Sequence, residues 1–227
     1  MTNVNFYNIY DREIIERRII YGAPSGVLFI GGNMKILALD QSSTATAFSV
    51  MQDGELLDYG LIKPKSSKRV TKVVIEEEPH LITITMPEEE YNTTLLRISY
   101  ICDVVKKLIK KIKPTKVAFE EIYVAPNYNP ITKRMDYSRV NISGFRSLSR
   151  LQGQLSRILW ELKMPYDIIL EQTWITAFGK YNSKIKREER KADVMAKVNE
   201  MYGLDIEVDD ISDAIGIAYY VSQFQAD

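Results

Sequence analysis

The stretch Lys35-Ile-Leu-Ala-Leu-Asp40-Gln-Ser-Ser-Thr-Ala-Thr-Ala-Phe-Ser-Val50 opens with a short apolar run that ends in a carboxylate, then enters a second run of β-forming residues. Runs of this length bounded by polar and turn residues read as strands. Thr44–Met51 and Glu55–Ile62 flank the turn pair Asp53-Gly54, so three antiparallel strands open the fold. Downstream, residues 63–90 carry a basic cluster (Lys63, Lys65, Lys68, Arg69, Lys72) and two β-like stretches, Val73–Ile75 and Leu81–Met86, around acidic triplets; this reads as an inserted β-hairpin. From Asn92 to Ile112, Leu95, Ile98, Ile101, Val105, Leu108 and Ile112 recur at helical spacing opposite a lysine face, and Pro114 marks the end. A strand over Lys116–Val124, a Pro/Asn/Tyr-rich loop Ala125–Asn141, a helix Ile142–Leu162, a strand Tyr166–Glu171 and helices near 187–202 and 211–224 follow. A meander followed by alternating strands and helices predicts an α/β fold, a five-stranded mixed sheet flanked by helices.

Two of these strands end in acids, Ile36-Leu-Ala-Leu-Asp40 and Val117-Ala-Phe-Glu120. Ends of neighbouring central strands in an α/β sheet form a crevice, so the two carboxylates can converge there. In Asp209-Asp210-Ile-Ser-Asp213, Asp210 and Asp213 lie three apart at the start of an apolar helix and share a face. Clustered carboxylates with few other ligand types suit hard divalent cations, Mg²⁺ with Mn²⁺ as a substitute, rather than zinc. Asp40 read alone is equally a turn acid, and Asp210 or Asp213 equally a helix N-terminal acid. Glu120 is harder to explain structurally, because an otherwise apolar strand has little use for an acid. Glu121 points to the opposite face.

Composition bounds the rest. Net charge is zero, which excludes a globally basic nucleic-acid binder, yet residues 101–191 hold 19 Lys and Arg against 9 Asp and Glu. The lone Cys102 cannot form an internal disulfide, and no apolar run approaches the ~18 residues of a membrane span. A cytoplasmic protein without a membrane partner is expected. Residues 1–33 stand apart as an N-terminal extension, with the folded domain over 34–227. Codons for Phe29–Met34 can be written to contain a bacterial ribosome-binding sequence before the Met34 codon, so Met34 is a candidate native start; a genuine extension is the alternative.

Taken in order, Leu37-Ala-Leu-Asp40-Gln-Ser-Ser-Thr, Pro114-Thr-Lys-Val-Ala-Phe-Glu120-Glu-Ile-Tyr123 and Asp210-Ile-Ser-Asp213-Ala-Ile-Gly resemble the three acidic motifs of the RuvC-type Holliday junction resolvases, over residues 35–221. The resemblance implies an RNase H-like fold, a homodimer, two Mg²⁺ ions and symmetric nicking of four-way or other branched DNA. It also implies that Asp40, Glu120, Asp210 and Asp213 are the catalytic metal ligands. Tyr123 matches a family aromatic that contacts bases, and Lys191 a family basic residue near the active site. Trp174 stands where cellular resolvases carry a lysine, which puts that phosphate contact in doubt. The long 63–90 insertion is similar to that of resolvases of bacteriophages of Gram-positive bacteria.

Alternatives remain at this level: a related RNase H-like nuclease acting on flapped DNA or RNA, an actin-like or sugar-kinase-type phosphate-binding protein suggested by Leu-Asp-Gln with small hydroxyl residues, or a non-catalytic DNA-binding protein. Tyr128 and Tyr137 interleave with Lys133, Arg134 and Arg139 in the 125–141 loop, a composition suited to stacking and phosphate contact in DNA binding.

Overall fold

β1 (Lys35–Asp40) is an uninterrupted apolar run because both its faces are covered. A computed structural model describes residues 34–123, 127–129, 134–136, 141–177 and 185–224. β1 pairs antiparallel with β2 (Thr46–Gln52), and β2 with β3 (Glu55–Ser67). The β2–β3 turn puts Asp53 and Gly54 at φ 52° and 87°, the left-handed conformation that Asp-Gly tolerates. On its other edge β1 runs parallel to β6 (Lys116–Glu120), and β6 parallel to β9 (Tyr166–Ile169). The crossovers are α2 (Thr94–Ile112) and α3 (Ile142–Glu161). α2 stops where Lys113 turns left-handed at φ 53° before Pro114, and α3 starts where Asn141 accepts the Gly144 N–H at 2.9 Å.

The sheet has seven strands, not five. β4 (Val74–Glu78) and β5 (Leu81–Pro87) join it, in the order β4-β5-β3-β2-β1-β6-β9. The inserted hairpin is therefore an extension of the main sheet, with β5 parallel to β3. β3 itself continues five residues past Ile62, through Pro64. Proline is tolerated there for a directional reason. The Leu61 N–H points to the β5 side, where it donates to the carbonyl of His80, the residue just before β5, at 3.0 Å, so positions 62 and 64 point their backbone nitrogens the other way. Beyond the Thr46–Ile62 pair β2 has ended, and Pro64 forfeits no ladder bond. α1 (Glu88–Asn92) precedes α2, with Thr93 between them. α4 (Glu171–Ala177) was not anticipated, and α5 (Arg187–Tyr202) and α6 (Asp209–Phe224) complete the sheet's cover. A separate small hairpin pairs β7 (Asn127–Asn129) with β8 (Arg134–Asp136). The expected N-terminal extension lies outside the described residues.

Alternation along the strands builds two cores. Leu37, Leu39, Phe48, Ile62 and Phe119 face α2 and α3. Ile36, Ala38, Ala47 and Ala118 face α6 and meet Ala214, Ile217 and Ala218. The alanines on both surfaces let α6 lie close to the sheet, and the buried Ser49 hydroxyl donates to the Ala214 carbonyl at 2.8 Å. α6 is thereby held with Asp210 and Asp213 at one end of the sheet, while Gln223 lies beside Gly54 at the other. No helix among the described residues is long and apolar enough to cross a membrane.

Candidate active site

Asp40 and Glu120 end adjacent parallel strands, one step beyond the Leu39–Phe119 register pair, and both lie on the α6 face. Gln41 ties the two ends together: its side-chain Nε2 donates to the Glu120 carbonyl at 2.9 Å. Asp210 and Asp213 approach the same end of the sheet from the N-terminal part of α6. The four acids predicted from sequence are thus brought into mutual electrostatic contact, with Asp213, Glu120 and Asp210 all acting on Asp40.

The electrostatic cost is large. Burial, followed by the charges of Asp213, Glu120 and Asp210, drives the Asp40 carboxyl well above the usual carboxylate range. Burial and the charge of Glu171 push Glu120 up to about 7, opposed by a hydrogen bond that Trp174 Nε1 donates to Glu120 Oε2 at 3.1 Å. Burial lifts Asp213 to about 6 and raises Asp210, with Lys191 opposing both. These are the shifts expected of acids assembled for a cation that neutralises them.

Lys191, from α5, supplies part of that charge. Its Nζ lies 2.6 Å from Asp209, 3.3 Å from Asp213 and 3.7 Å from Asp210. Burial disfavours the ammonium, but the Asp209 hydrogen bond and the charges of Asp213 and Asp209 outweigh it and raise the Lys191 pKa. Asp209 is correspondingly held below the usual range, first by its hydrogen bond to Lys191. Lys191 is therefore a half-buried member of the cluster.

Among the described residues no three acidic, histidine or cysteine side chains converge closely enough to chelate one ion as they stand. The donor chemistry still fits a hard divalent cation. All the donors are oxygens, Asp213 Oδ1 is buried without a hydrogen-bond partner, and Lys191 balances the helix acids far more than it does Asp40 or Glu120.

Other predicted site residues fall unevenly. Tyr123 stands 68% exposed just past β6, free to meet a ligand. Lys133 and Arg139 lie outside the described residues, as does the side chain of Arg134, whose backbone opens β8. Sequence reasoning gave Asp209 no role, because its lysine partner is 18 residues away in sequence. Trp174, read as a departure from the lysine pattern, is 1% exposed and holds the Glu120 carboxylate. Arg97 was also missed: it donates to the Ser43 carbonyl at 3.3 Å and to the Tyr91 carbonyl, while its guanidinium lies 5.0 Å over the Tyr91 ring, so it pins the loop that follows Asp40.

The Trp174 bond makes a prediction. Trp174→Phe preserves most of the packing but removes a contact that holds the Glu120 pKa down, so the acid limb of the pH–rate profile for cleavage should move to higher pH. A rate change without movement of that limb would reduce Trp174 to a packing residue.

No protein-family model matches the chain. It is 30% identical over 162 residues to the crossover junction endodeoxyribonuclease RuvC of Brachyspira hyodysenteriae (strain ATCC 49526 / WA1), a match covering 70% of this chain and 82% of that protein. In structure it is similar to Thermus thermophilus RuvC, both alone and in complex with a Holliday junction substrate. The TM-score is 0.51 and the identity 16% in each case, over 82% of this chain and 92% or 91% of the other. The solved structures support the fold, the RNase H-like arrangement expected from the motifs, and the sequence relationship fixes the lineage: the chain belongs to the RuvC family of crossover junction endodeoxyribonucleases.

Proposed function

We propose that residues 34–227 form a divalent-metal-dependent endonuclease that hydrolyses phosphodiester bonds in branched DNA, with four-way junctions as the preferred substrate. The carrying observation is the convergence of Asp40, Glu120, Asp210 and Asp213 from two strand ends and one helix, at a cost visible in the raised Asp40, Glu120 and Asp213 pKa values. Family membership supports the reaction and leaves no role for the sugar-kinase reading.

The four carboxylates would hold two Mg²⁺ ions, or Mn²⁺ in their place. When bound, such ions lower the pKa of water and neutralise charge that develops on the phosphodiester. The chain's own residues prepare the site: Gln41 holds the β1 and β6 ends in register, Trp174 orients Glu120, and Lys191 keeps the helix acids ionised at neutral pH. Exposed Tyr123 offers a stacking surface for a base, and Lys133, Arg134 and Arg139 of the neighbouring loop offer phosphate contacts. The long 63–90 insertion supports kinship with bacteriophage resolvases, acting on DNA in the host cytoplasm.

Incubation with Mg²⁺ and matched four-way, three-way, flap, duplex and RNA–DNA substrates tests the reading. Paired nicks at symmetric positions of the four-way junction are expected, and preference for the flap or the RNA–DNA hybrid would favour a different RNase H-like nuclease. Symmetric nicking calls for two active sites related by a two-fold axis. α3 leaves Ile142 56%, Phe145 39% and Trp160 63% exposed, with Leu95 of α2 at 48%, surface that a second copy would cover. Sedimentation should therefore show a homodimer at micromolar concentration, and a monomer both free and on junction DNA would contradict it.

A further inference from the structure

Because β5 pairs with β3 in parallel and β3 outruns β2, the insertion projects past the catalytic end of the sheet. Asp40, Ala47 and Leu61 lie at one level across β1, β2 and β3. Lys65 is four residues further on, about 13 Å along the strand and about 10 Å across from Asp40 at ordinary strand spacings. Its face is fixed by alternation. Ile62 belongs to the α2–α3 core and Pro64 is buried, so Leu61, Lys63 and Lys65 point to the opposite side, the face that carries Asp40 and Glu120. α6 does not cover this region, since it runs from the acid cluster back toward the β2–β3 turn, and Lys63 and Lys65 are exposed. The connection from β3 to β4 lies farthest out and carries exposed Lys68, Arg69 and Lys72.

Two of the insertion's acids are turned elsewhere. Glu77 faces the α2 side, where Lys111 meets it at 3.2 Å, and Glu90 accepts from Tyr100 of α2 at 3.1 Å. Glu76 and Glu88 do approach the basic row, but their pairs with Lys65 and Lys68 are 4.0 and 3.6 Å long and more than half exposed on at least one side. Exposed pairs of this kind contribute little and exchange readily for a phosphate. Among the described residues Lys63, Arg69 and Lys72 form no ion pair.

We infer that this extension is a second DNA-binding surface: Lys63, Lys65, Lys68, Arg69 and Lys72 form a basic track, continuous with the catalytic face, that grips backbone phosphates of a strand leaving the cut site. The track's reach of some 13 Å and more spans several phosphates at about 3.4 Å of helix axis per strand charge. Backbone contacts of this kind position a substrate without reading its sequence. The inference rests on the branched-DNA reading proposed above.

The test measures junction binding without divalent ions as a function of salt, for wild type and four double variants that each remove two charges. Lys63→Ala/Lys65→Ala and Lys68→Ala/Arg69→Ala should each flatten the log–log slope, by up to ~0.9 per lost phosphate contact. Lys107→Ala/Lys110→Ala, on the exposed face of α2, should leave it unchanged. Glu76→Gln/Glu88→Gln should tighten binding several-fold, a gain that damage to the fold cannot mimic. Unchanged slopes in both track variants, equal flattening in the α2 control, or weakened binding in the Gln variant would each overturn the platform while wild-type binding and cleavage stand. Failure of the wild type itself to bind or cut any branched DNA would instead overturn the proposed function.

Discussion

Asp40→Asn is expected to reduce Mg²⁺-dependent cleavage by about a thousand-fold or more while leaving junction binding intact. The change keeps the side chain's shape at the end of β1 but removes the charge most compressed by burial and by the carboxylates of Asp213, Glu120 and Asp210. Loss of several kcal/mol of transition-state stabilisation, at about 1.4 kcal/mol per factor of ten, sets that magnitude. Metal-free binding should tighten, because one fewer negative charge opposes the phosphates. Metal-free stability should rise as well, and the sign follows from linkage. A carboxyl whose folded pKa is raised contributes stability that is complete below its unfolded value and lost as pH rises through the folded value. Wild type loses that contribution as pH rises, so the Asn variant's advantage in melting temperature should grow with pH and shrink toward pH 4. A folded Asp40→Asn variant with wild-type nicking would overturn the site assignment.

Lys191→Met should lower the metal-free melting temperature by roughly 5–10 °C at pH 7–8, and added Mg²⁺ or Mn²⁺ should recover more of it than the same addition gives wild type. The lysine side chain is 18% exposed and that of Asp213 8%, so removing the ammonium leaves a buried carboxylate without its nearest cation. Breaking a buried, hydrogen-bonded pair costs about 3–5 kcal/mol. Asp209 is 45% exposed and the acids can take up protons, which reduces the figure to about 2–3 kcal/mol. At about 2–4 °C per kcal/mol for a domain of this size, that gives the stated range. The deficit should narrow on acidification, because Asp213 protonates near pH 6 and no longer needs a counter-charge. Differential scanning calorimetry with and without metal, from pH 5 to 8, measures all of this. A deficit independent of pH would show that Lys191 matters for its aliphatic packing rather than its charge.

Much of the site was legible because it violates local expectations in the chain. An acid at the end of an apolar strand, as at Asp40 and Glu120, is costly enough to demand a reason, and Asp210 with Asp213 announces a shared helix face by spacing alone. The meander and both crossover helices were legible for the same reason, since their burial imposes periods of two and 3.6. The insertion resisted. Lys63-Pro64-Lys65 has the composition of a strand end, and the sequence reading stopped at Ile62.

What the sequence by itself determined is therefore the α/β layering, and it supplied the four candidate acids and the family motifs that contain them, all of which depend on periodicity or on residues close in the chain. The tertiary structure alone decided that β3 continues through Pro64, because only the end of β2 relieves that proline of a missing hydrogen bond. It alone placed Lys191 among the acids and Trp174 on Glu120, pairings between separate elements that no local pattern encodes. It also decided the direction of the basic track, since a two-residue period sorts side chains to opposite faces, but only strand pairing says which face carries the carboxylate cluster.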